Sequence, residues 1–487
     1  MSSKWSPKTP QWSREEQELL PAQINGPSPV PLKTILEKSD AFPRKFPVDS
    51  GRCKTLKAFV PEDTLERNAN SAYPIVHANI LHFYAQFILH KRKYGNAIEK
   101  AVYKDMDVLQ LIDRFLKKRA ATFMGKRDFY TLLDGKKGSQ SWESIGTPQE
   151  KEPLLLKNCL SYEEVKLSAF LSVSSYTYFV NIGDRKNLAV YKAERDGIED
   201  EGIIIGIIGP RLIKEGVMEY QELVITEKQN NKENGYGKIK PPTIHHLFAK
   251  LYEEGCWEYK EILENRKSQP ARYTNLTKGE ILDDLVYYKR LVFTMDTLFL
   301  EANQRALERN TTAYIHVVGI GLGVWKKSPC QNKLFMDACG ERIKLLGKQL
   351  HNVSDICFAY IAHDSCLNYK HGDTIPIDGH PLKGIKIYLC KREPHSKLTG
   401  RDRGKLLVVS YAWDGNALPG NEFWNKKLGS SGDSAAASST QISELHNPFI
   451  NPRVCASNLK VAVGGKVIGI EEYARNAKTG EKRKLGE

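Results

Sequence analysis

Apolar residues recur at helical spacing over one stretch of the chain. Between residues 71 and 180, large apolar side chains return every three to four positions, as at Ile80, Tyr84 and Ile88, and a second run of this kind covers residues 108–116. This spacing places apolar side chains on one face of a helix. We therefore predict a mostly helical region over residues 71–180.

From residue 181 onward, short apolar runs bounded by glycine and proline alternate with helical patterns. The apolar runs, at 203–208, 313–318, 356–361, 385–389 and 406–410, predict buried strands. The helical patterns lie at 279–309 and 332–350. Residues 223–225 predict a further strand joined to the same sheet. This alternation predicts an α/β domain over residues 181–475, with a mixed sheet flanked by helices and ligands at the carboxyl ends of its strands.

The two ends of the chain lack this periodicity. Residues 1–70 are rich in proline, serine, lysine and glutamate, which predicts a flexible N-terminal arm. Residues 476–487 carry three lysines and one arginine and predict a basic C-terminal tail. The predicted organisation is therefore an arm, a helical region, an α/β domain and a tail.

Composition narrows the class of protein. Hydrophobic residues make up 41% and charged residues 27%, as in a globular protein. No run of about 18 apolar residues occurs, so no membrane span is predicted, and the N-terminus has no apolar signal segment. The nine cysteines form no C-x-x-C pair, so we expect reduced thiols in the cytosol or nucleus and predict no metal site.

The net charge of +14 is spread along the chain rather than gathered in one block. A dispersed positive surface suits any polyanionic ligand, including a pyrophosphate. No helix-turn-helix, zinc-finger or RNA-binding signature accompanies it, so dedicated nucleic acid binding is not favoured.

A glycine-rich segment follows the run at 313–318. Glycine lets a backbone approach a phosphate closely, and successive N–H groups form an anion-binding nest. The same pattern also serves as a tight turn with no ligand, and it matches neither a Walker A motif nor G-x-G-x-x-G. We predict that this segment contacts the diphosphate of a ligand. The predicted contacts are Gly319, Ile320, Gly321, Leu322, Gly323 and Val324.

An acidic segment follows the run at 406–410. Asp414, Glu422 and Asp433 lie within twenty residues, together with Asn416 and Asn421. Asp433 alone would serve equally well as a helix N-cap, and Asp414 could simply make an Asx-turn. Three carboxylates are nevertheless more than a turn requires.

Carboxylates of this kind suit the cleavage of a glycosidic bond, whose transition state resembles an oxocarbenium ion. One carboxylate stabilises the cation and another activates water. We therefore predict Asp414, Glu422 and Asp433 as catalytic residues. The predicted ligand-binding residues of this segment are Asn416, Ala417, Gly420 and Asn421.

Nearby aromatic and histidine residues allow two interpretations each. Trp325, Phe423 and Trp424 could stack on adenine or ribose, although packing in the core is favoured. His446 precedes an Asn-Pro pair and could close over the site, although a turn is favoured.

These segments resemble the macrodomain superfamily. Residues 319–325 look like the macrodomain loop that wraps the diphosphate and distal ribose, and residues 416–421 are similar to its Asn-Ala-x-x loop. In ordinary macrodomains the Asn-containing loop comes first along the chain, whereas here it comes second. The resemblance therefore implies a macrodomain-like fold with a permuted or rearranged sheet.

A closer resemblance is to the family of the bacterial effector MavL and its eukaryotic relatives. Members carry Asp-x-Asn-x-x-x-Gly-Asn-Glu/Asp-x-Trp followed by Gly-Asp-x-Ala-Ala-Ala, which residues 414–424 and 432–437 match. Residues 209–220 also look like a block of that family.

The MavL resemblance implies an enzyme that hydrolyses ADP-ribose from arginine, including arginine on ubiquitin. Its acidic positions fall on Asp414, Glu422 and Asp433. The expected partners are ADP-ribose and an ADP-ribosylated protein; no cofactor is firmly predicted, and a requirement for Mg²⁺ stays open. The alternative is a module that binds ADP-ribose without cleaving it. Three carboxylates favour the enzyme, because added negative charge does not help to bind an anion.

Overall fold

A computed structural model describes residues 5–479 of the chain, which form helices around one large sheet. The helices are α1 (Arg14–Gln17), α2 (Leu32–Asp40), α3 (Cys53–Leu56), α4 (Glu62–Asn70), α5 (Ala78–Tyr94), α6 (Ala97–Tyr103), α7 (Val108–Lys117), α8 (Tyr162–Ser168), α9 (Tyr220–Leu223), α10 (Ile244–Leu251), α11 (Tyr259–Ser268), α12 (Asp284–Glu308), α13 (Cys330–Leu346), α14 (Gly432–Ser439), α15 (Ile442–Leu445) and α16 (Ile470–Thr479). The strands are β1 (Tyr73–His77), β2 (Thr122–Met124), β3 (Phe129–Thr131), β4 (Lys137–Gly138), β5 (Ser172–Tyr178), β6 (Glu201–Ile207), β7 (Val224–Ile225), β8 (Tyr273–Asn275), β9 (Ile281–Asp283), β10 (Ala313–Val318), β11 (Val353–Ala359), β12 (Thr374–Pro376), β13 (Gly384–Cys390), β14 (Leu406–Ala412), β15 (Lys460–Val463) and β16 (Lys466–Gly469).

The large sheet has ten strands in the order β12-β13-β11-β10-β14-β6-β5-β1-β15-β16. Its middle consists of five neighbouring parallel strands, from β13 to β6. The isoleucine run of β6 is buried almost throughout, as expected for a parallel strand covered on both faces. The predicted α/β class with a mixed sheet flanked by helices is confirmed at this level.

Most predicted strands have their expected positions, and β10 coincides with the predicted run. The helix expected over residues 279–309 begins later, at Asp284, because the preceding three residues form β9. The Asp283 side chain then caps the helix by accepting from the Val286 N–H at 3.1 Å. The strand expected at residues 223–225 does not join the large sheet but a separate three-stranded sheet, β7-β9-β8.

The predicted boundary at residue 180 does not separate two domains. The region 71–180 supplies β1 and β5 to the large sheet and a small sheet, β2-β3-β4, of its own. β5 pairs antiparallel with β6 across the supposed boundary, from Val173 opposite Gly206 to Tyr178 opposite Glu201. Apolar periodicity shows where side chains are buried but not which strand will pair with which.

The predicted flexible arm is instead folded onto the body. Of its residues, those from 5 onward are described, and they form α1 to α4 with apolar side chains in the main core. A buried ion pair fixes this segment: Arg52 Nε lies 3.3 Å from Glu444 Oε1, and the Cys53 N–H donates to Glu444 Oε2 at 2.6 Å. The short helices lie between prolines, which hides their periodicity in the sequence.

At the C-terminus, α16 covers the start of the predicted basic tail, and residues 480–487 lie outside the described residues. Among residues 5–479, no helix combines the length and the apolar character needed to cross a membrane.

Candidate active site

The two predicted loops leave the same edge of the large sheet. β10 and β14 are neighbours and parallel, with Ala313 opposite Leu406. Near their carboxyl ends, the Val318 N–H donates to Ser410 Oγ at 3.1 Å. β6 lies parallel on the other side of β14 and ends at the same edge. The glycine loop (residues 319–324) and the acidic loop (residues 413–434) therefore begin side by side.

The glycine loop packs closely against the segment that follows β6. Gly321 has a φ of +71°, and a Cβ atom there would lie 2.7 Å from the Pro210 carbonyl oxygen. A Cβ atom on Gly209 would in turn collide with the Gly321 backbone. Both glycines are therefore required by backbone packing alone.

The other end of the glycine loop is open. A Cβ atom on Gly323 would meet no heavy atom within 4 Å, and Val324 is 80% exposed. The loop does not lead directly into a helix, because α13 begins only at Cys330, close to the start predicted at residue 332. The Ile320 N–H donates to the Val318 carbonyl at 2.9 Å and the Leu322 N–H to the Gly319 carbonyl at 3.2 Å, so the loop is a turn rather than the first turn of a helix.

Asp414 is a half-buried carboxylate at the start of the acidic loop. The Asn421 side-chain N–H donates to Asp414 Oδ2 at 2.7 Å, and the Asn416 backbone N–H donates to Oδ1 at 3.4 Å. Burial and the nearby Glu422 charge raise the pKa of Asp414 to about 7, against the opposing effect of Arg211 and these hydrogen bonds. The carboxylate therefore titrates near neutral pH.

Asp433 is the second residue of α14 and does not cap it. The N-cap is Ser431, whose Oγ accepts from the Ser434 N–H at 3.2 Å. Asp433 is buried, and its two oxygens accept from the backbone N–H groups of Asp414 at 3.0 Å and Gly420 at 2.7 Å. Burial and the Glu422 charge raise its pKa well above the usual range. Asp433 thus ties together two distant parts of the acidic loop.

Glu422 interacts electrostatically with both Asp414 and Asp433. It is half-buried, and its Oε2 accepts from Ser431 Oγ at 2.7 Å. Within the described residues, Glu422 Oε1 has no hydrogen-bond partner. Because Glu422 raises the pKa of both Asp414 and Asp433, the three carboxylates form one electrostatically coupled group.

A buried network orients the Asn416 side chain. Arg211 Nη1 donates to Asn416 Oδ1, and Arg211 Nε lies 3.1 Å from Glu219 Oε2. Arg290 holds the other oxygen of Glu219 at 3.2 Å. Asn416 Nδ2 is buried and has no partner within residues 5–479. The network therefore fixes the amide with its N–H donors free for a ligand.

The helical region also supports the acidic loop. Arg119 donates to the Gly415 carbonyl oxygen, and its guanidinium carbon lies 4.4 Å from the centre of a Trp413 ring. Burial and the charge of Arg211 lower the pKa of Arg119 to about 9. Asn421 accepts from the Phe123 N–H at 2.9 Å and donates to the Phe123 carbonyl at 3.0 Å.

These supporting residues were not predicted from the sequence. Arg211 and Glu219 lie inside the segment 209–220 that resembles the MavL family, which is the signal that could have found them. For Arg119 and Phe123 the sequence gives no such signal, because they reach the acidic loop from almost 300 residues away.

Phe423, Trp424 and His446 are buried in the core, and Trp325 is partly buried against it. Trp424 packs between Phe42 and Phe46 at centroid distances of 5.2 and 5.0 Å. His446 is buried between Ser175 Oγ at 3.0 Å and Tyr411 Oη at 3.1 Å. His446 therefore does not close over the acidic loop.

Comparisons with known proteins converge on one activity. A family model described as ADP-ribosylhydrolase MavL-like matches residues 33–476. The Drosophila melanogaster protein named ADP-ribosylarginine hydrolase CG2909 is 40% identical over 459 residues, covering 91% of this chain and 89% of that protein. The protein named ADP-ribosylarginine hydrolase CG3568, from the same organism, is 42% identical over 462 residues, covering 92% and 89%.

Proposed function

The chain belongs to the MavL-like ADP-ribosylhydrolase family, and we propose that it cleaves the bond between ADP-ribose and an arginine side chain of a modified protein. It is thus a glycosyl hydrolase. The names of the two Drosophila relatives support arginine as the acceptor. One observation supports the location of the site. The acidic loop, which carries the three coupled carboxylates, begins beside the glycine loop at one edge of the large sheet.

The reaction breaks the bond between C1″ of the distal ribose and a guanidine nitrogen. The electron pair leaves with the nitrogen, a water oxygen adds to C1″, and the proton that the water loses passes by way of a carboxylate to the guanidine, giving ADP-ribose and an unmodified arginine side chain. A protonated guanidine is a competent leaving group, so a strong general acid is not required. Positive charge develops on the ribose in the transition state, and a nearby carboxylate stabilises it.

The contacts of each carboxylate support a division of roles. Asp414 lies next to Asn416 and is ionised above pH 7, so we assign it to stabilising the developing cation. Glu422 retains an unpaired oxygen, so we assign it to accepting a proton from the attacking water. Both carboxylate oxygens of Asp433 accept from backbone N–H groups, so we assign Asp433 to positioning the loop.

The proposed contacts with ADP-ribose are made mainly by N–H groups that have no hydrogen-bond partner within the described residues. In this proposal the glycine loop surrounds the diphosphate: the N–H groups of Gly321, Gly323 and Val324, which have no acceptor among the described residues, donate to it, and Ile320 and Leu322 shape the loop. The free Nδ2 of Asn416 donates to a hydroxyl of the distal ribose. Ala417 and Gly420 shape the loop around that ribose. Asn421 acts indirectly, because its amide is committed to Asp414 and Phe123.

We further propose that the fold is macrodomain-like, with the two loops in reversed order along the chain. Five neighbouring parallel strands and a site at their carboxyl edge support this proposal. ADP-ribosylated ubiquitin is the protein substrate we propose to test first, as the resemblance to MavL implies.

The test is a turnover assay on arginine-ADP-ribosylated protein, with ubiquitin as one substrate and release of ADP-ribose as the measurement. We expect the wild type to release ADP-ribose and Asp414→Ala and Glu422→Ala to lose at least 100-fold in kcat, because removing a stabiliser of the transition-state charge costs about 10²–10³ and removing an acid–base group about 10²–10⁴. Binding of ADP-ribose without release by the wild type would leave only a binding module.

A further inference from the structure

Three large apolar side chains are exposed on one part of the surface. Leu188 is 55% exposed, Val190 56% and Phe59 56%. Phe59 stacks on Tyr191, with ring centroids 4.4 Å apart and planes at 18°. We name Phe59, Leu188, Val190 and Tyr191 the rim patch. Clustered apolar side chains on a surface mark sites of interaction with another molecule.

The backbone holds this patch in an uncommon conformation. Leu188 has a φ of +45° and Ala189 a φ of +67°, so two successive residues other than glycine are left-handed. Such residues are disfavoured by contacts of their own Cβ atoms. Ala189 is buried, whereas the side chain of Leu188 remains in solvent despite its left-handed backbone.

The rim patch adjoins the acidic loop. A Cβ atom on Gly429 would lie 3.4 Å from Leu188 Cδ2 and would collide with the Arg185 carbonyl. A Cβ atom on Gly432 would lie 3.7 Å from Arg185 Nη2. Gly432 directly precedes Asp433, and the nearby Ser431 holds Glu422. The patch therefore borders the side of the acidic loop that carries Glu422 and Asp433.

The same border is positively charged. Arg185, Lys186, Lys426 and Lys427 are exposed, and none lies within 4.0 Å of a carboxylate in the part of the chain that the structure describes. Unpaired cations around an apolar surface complement a partner that presents acidic side chains.

We propose that the rim patch and these four cations form the docking surface for the protein part of the substrate. Its partner is a folded protein that presents apolar and acidic side chains around its ADP-ribosylated arginine. The inference rests on the proposed function. If the modified arginine reaches the catalytic carboxylates, the protein that carries it must lie against the surface next to them. Docking there would hold the modified arginine against Glu422 and Asp414.

Two substrates separate docking from chemistry. Free ADP-ribosylarginine offers the same scissile bond without a protein surface, whereas an arginine-ADP-ribosylated acidic protein offers both. We expect the double variant Leu188→Asp/Val190→Asp to lose at least tenfold in kcat/KM on the protein and to keep wild-type kcat/KM on free ADP-ribosylarginine. Leu382→Asp, at an apolar position that is 50% exposed between β12 and β13, is the matched control and should change neither value.

A charge-reversal variant tests the contribution of the four cations to docking. Arg185→Glu/Lys186→Glu should lower kcat/KM on the acidic protein and raise it on a protein with basic side chains around the modified arginine. Lys348→Glu, at an exposed lysine two residues beyond the end of α13, is the control.

Unchanged kcat/KM on the protein, or an equal fall on both substrates, would overturn the docking surface. A wild type that hydrolyses neither substrate would instead overturn the proposed function itself.

Discussion

The side-chain N–H of Asn421 donates to Asp414 Oδ2 at 2.7 Å, while the rest of the same amide pairs with both backbone groups of Phe123. Asn421 is itself held at a φ of +25°. One asparagine therefore couples a candidate catalytic carboxylate to β2 of the preceding helical region. That region is part of the support of the acidic loop rather than a separate module.

Replacing Asn421 by alanine should weaken both the fold and the site. The change leaves the buried Phe123 N–H and carbonyl unpaired, which costs about 1–3 kcal/mol for each unsatisfied group. It also removes a donor that favours ionised Asp414. We expect a lower melting temperature and at least a tenfold fall in kcat. The half-buried Asn425, changed to alanine, is the control, and an unaltered kcat in Asn421→Ala would contradict the coupling.

Asp414→Asn should stabilise the protein while abolishing turnover. The pKa of Asp414 is about 7 in the fold against roughly 3.9 in an unfolded chain. The folded state therefore binds the proton more tightly, and stability falls as pH rises from about 4 to 7. Asparagine does not ionise and avoids this loss, so we expect a gain of at least about 1 kcal/mol at pH 8.

Urea unfolding of both proteins at pH 5 and pH 8 measures this gain, which should be smaller at the lower pH. Equal unfolding free energies of the wild type and Asp414→Asn at pH 8 would show that folding does not raise the pKa of Asp414. Glu444→Gln is unsuitable as a control because it breaks the ion pair with Arg52.

Arg211 should set the pH dependence of the reaction. If ionised Asp414 acts in catalysis, kcat/KM falls as pH drops below about 7. Arg211 lowers the pKa of Asp414, so Arg211→Met should move this acid limb to higher pH. It should also raise KM, because Asn416 loses its anchor.

Arg290→Met is the matched control for this profile. It breaks a contact to the same Glu219 but leaves Arg211 paired with Glu219 and Asn416. We expect its acid limb to coincide with that of the wild type. Identical shifts in the two variants would indicate general destabilisation instead.

Asn416→Asp tests the free amide donor without disturbing its anchor. The new carboxylate still accepts from Arg211, but the N–H donors of Nδ2 are lost. We expect an unchanged melting temperature and ADP-ribose affinity lowered at least tenfold, which corresponds to about 1.4 kcal/mol. Calorimetric titration with ADP-ribose provides the measurement, and wild-type affinity would remove Asn416 from the ligand site.

Two alanine substitutions separate packing from binding in the glycine loop. Gly321→Ala brings a Cβ atom to 2.7 Å from the Pro210 oxygen at a left-handed φ, so we expect a clear loss of thermal stability. Gly323→Ala meets open space and should fold like the wild type. Any fall in the ADP-ribose affinity of Gly323→Ala then reports on ligand contact, and equal melting temperatures of the two variants would contradict this assignment.

The sequence by itself determined the strands of the parallel sheet and the two loops that follow them. Buried parallel strands such as β6 and β10 are nearly continuous apolar runs, interrupted only by residues such as Gly206 and His316, and glycine or proline follows them within a few residues. Only the tertiary structure makes β10 and β14 neighbours and so brings residues 319 and 414 to one edge, whereas the extent of each apolar run and of the loop after it is a property of the sequence. This information is local, so it can be read along the chain.

Tertiary structure alone decided how the N-terminal segment and the helical region contribute. Arg52 meets Glu444, Phe123 meets Asn421 and Arg119 meets Gly415 across about 300 residues or more. Apolar periodicity reports that a residue is buried, not what it is buried against. The environment of Asp414 was likewise beyond the sequence, because its pKa depends on burial and on the charges that folding brings near it.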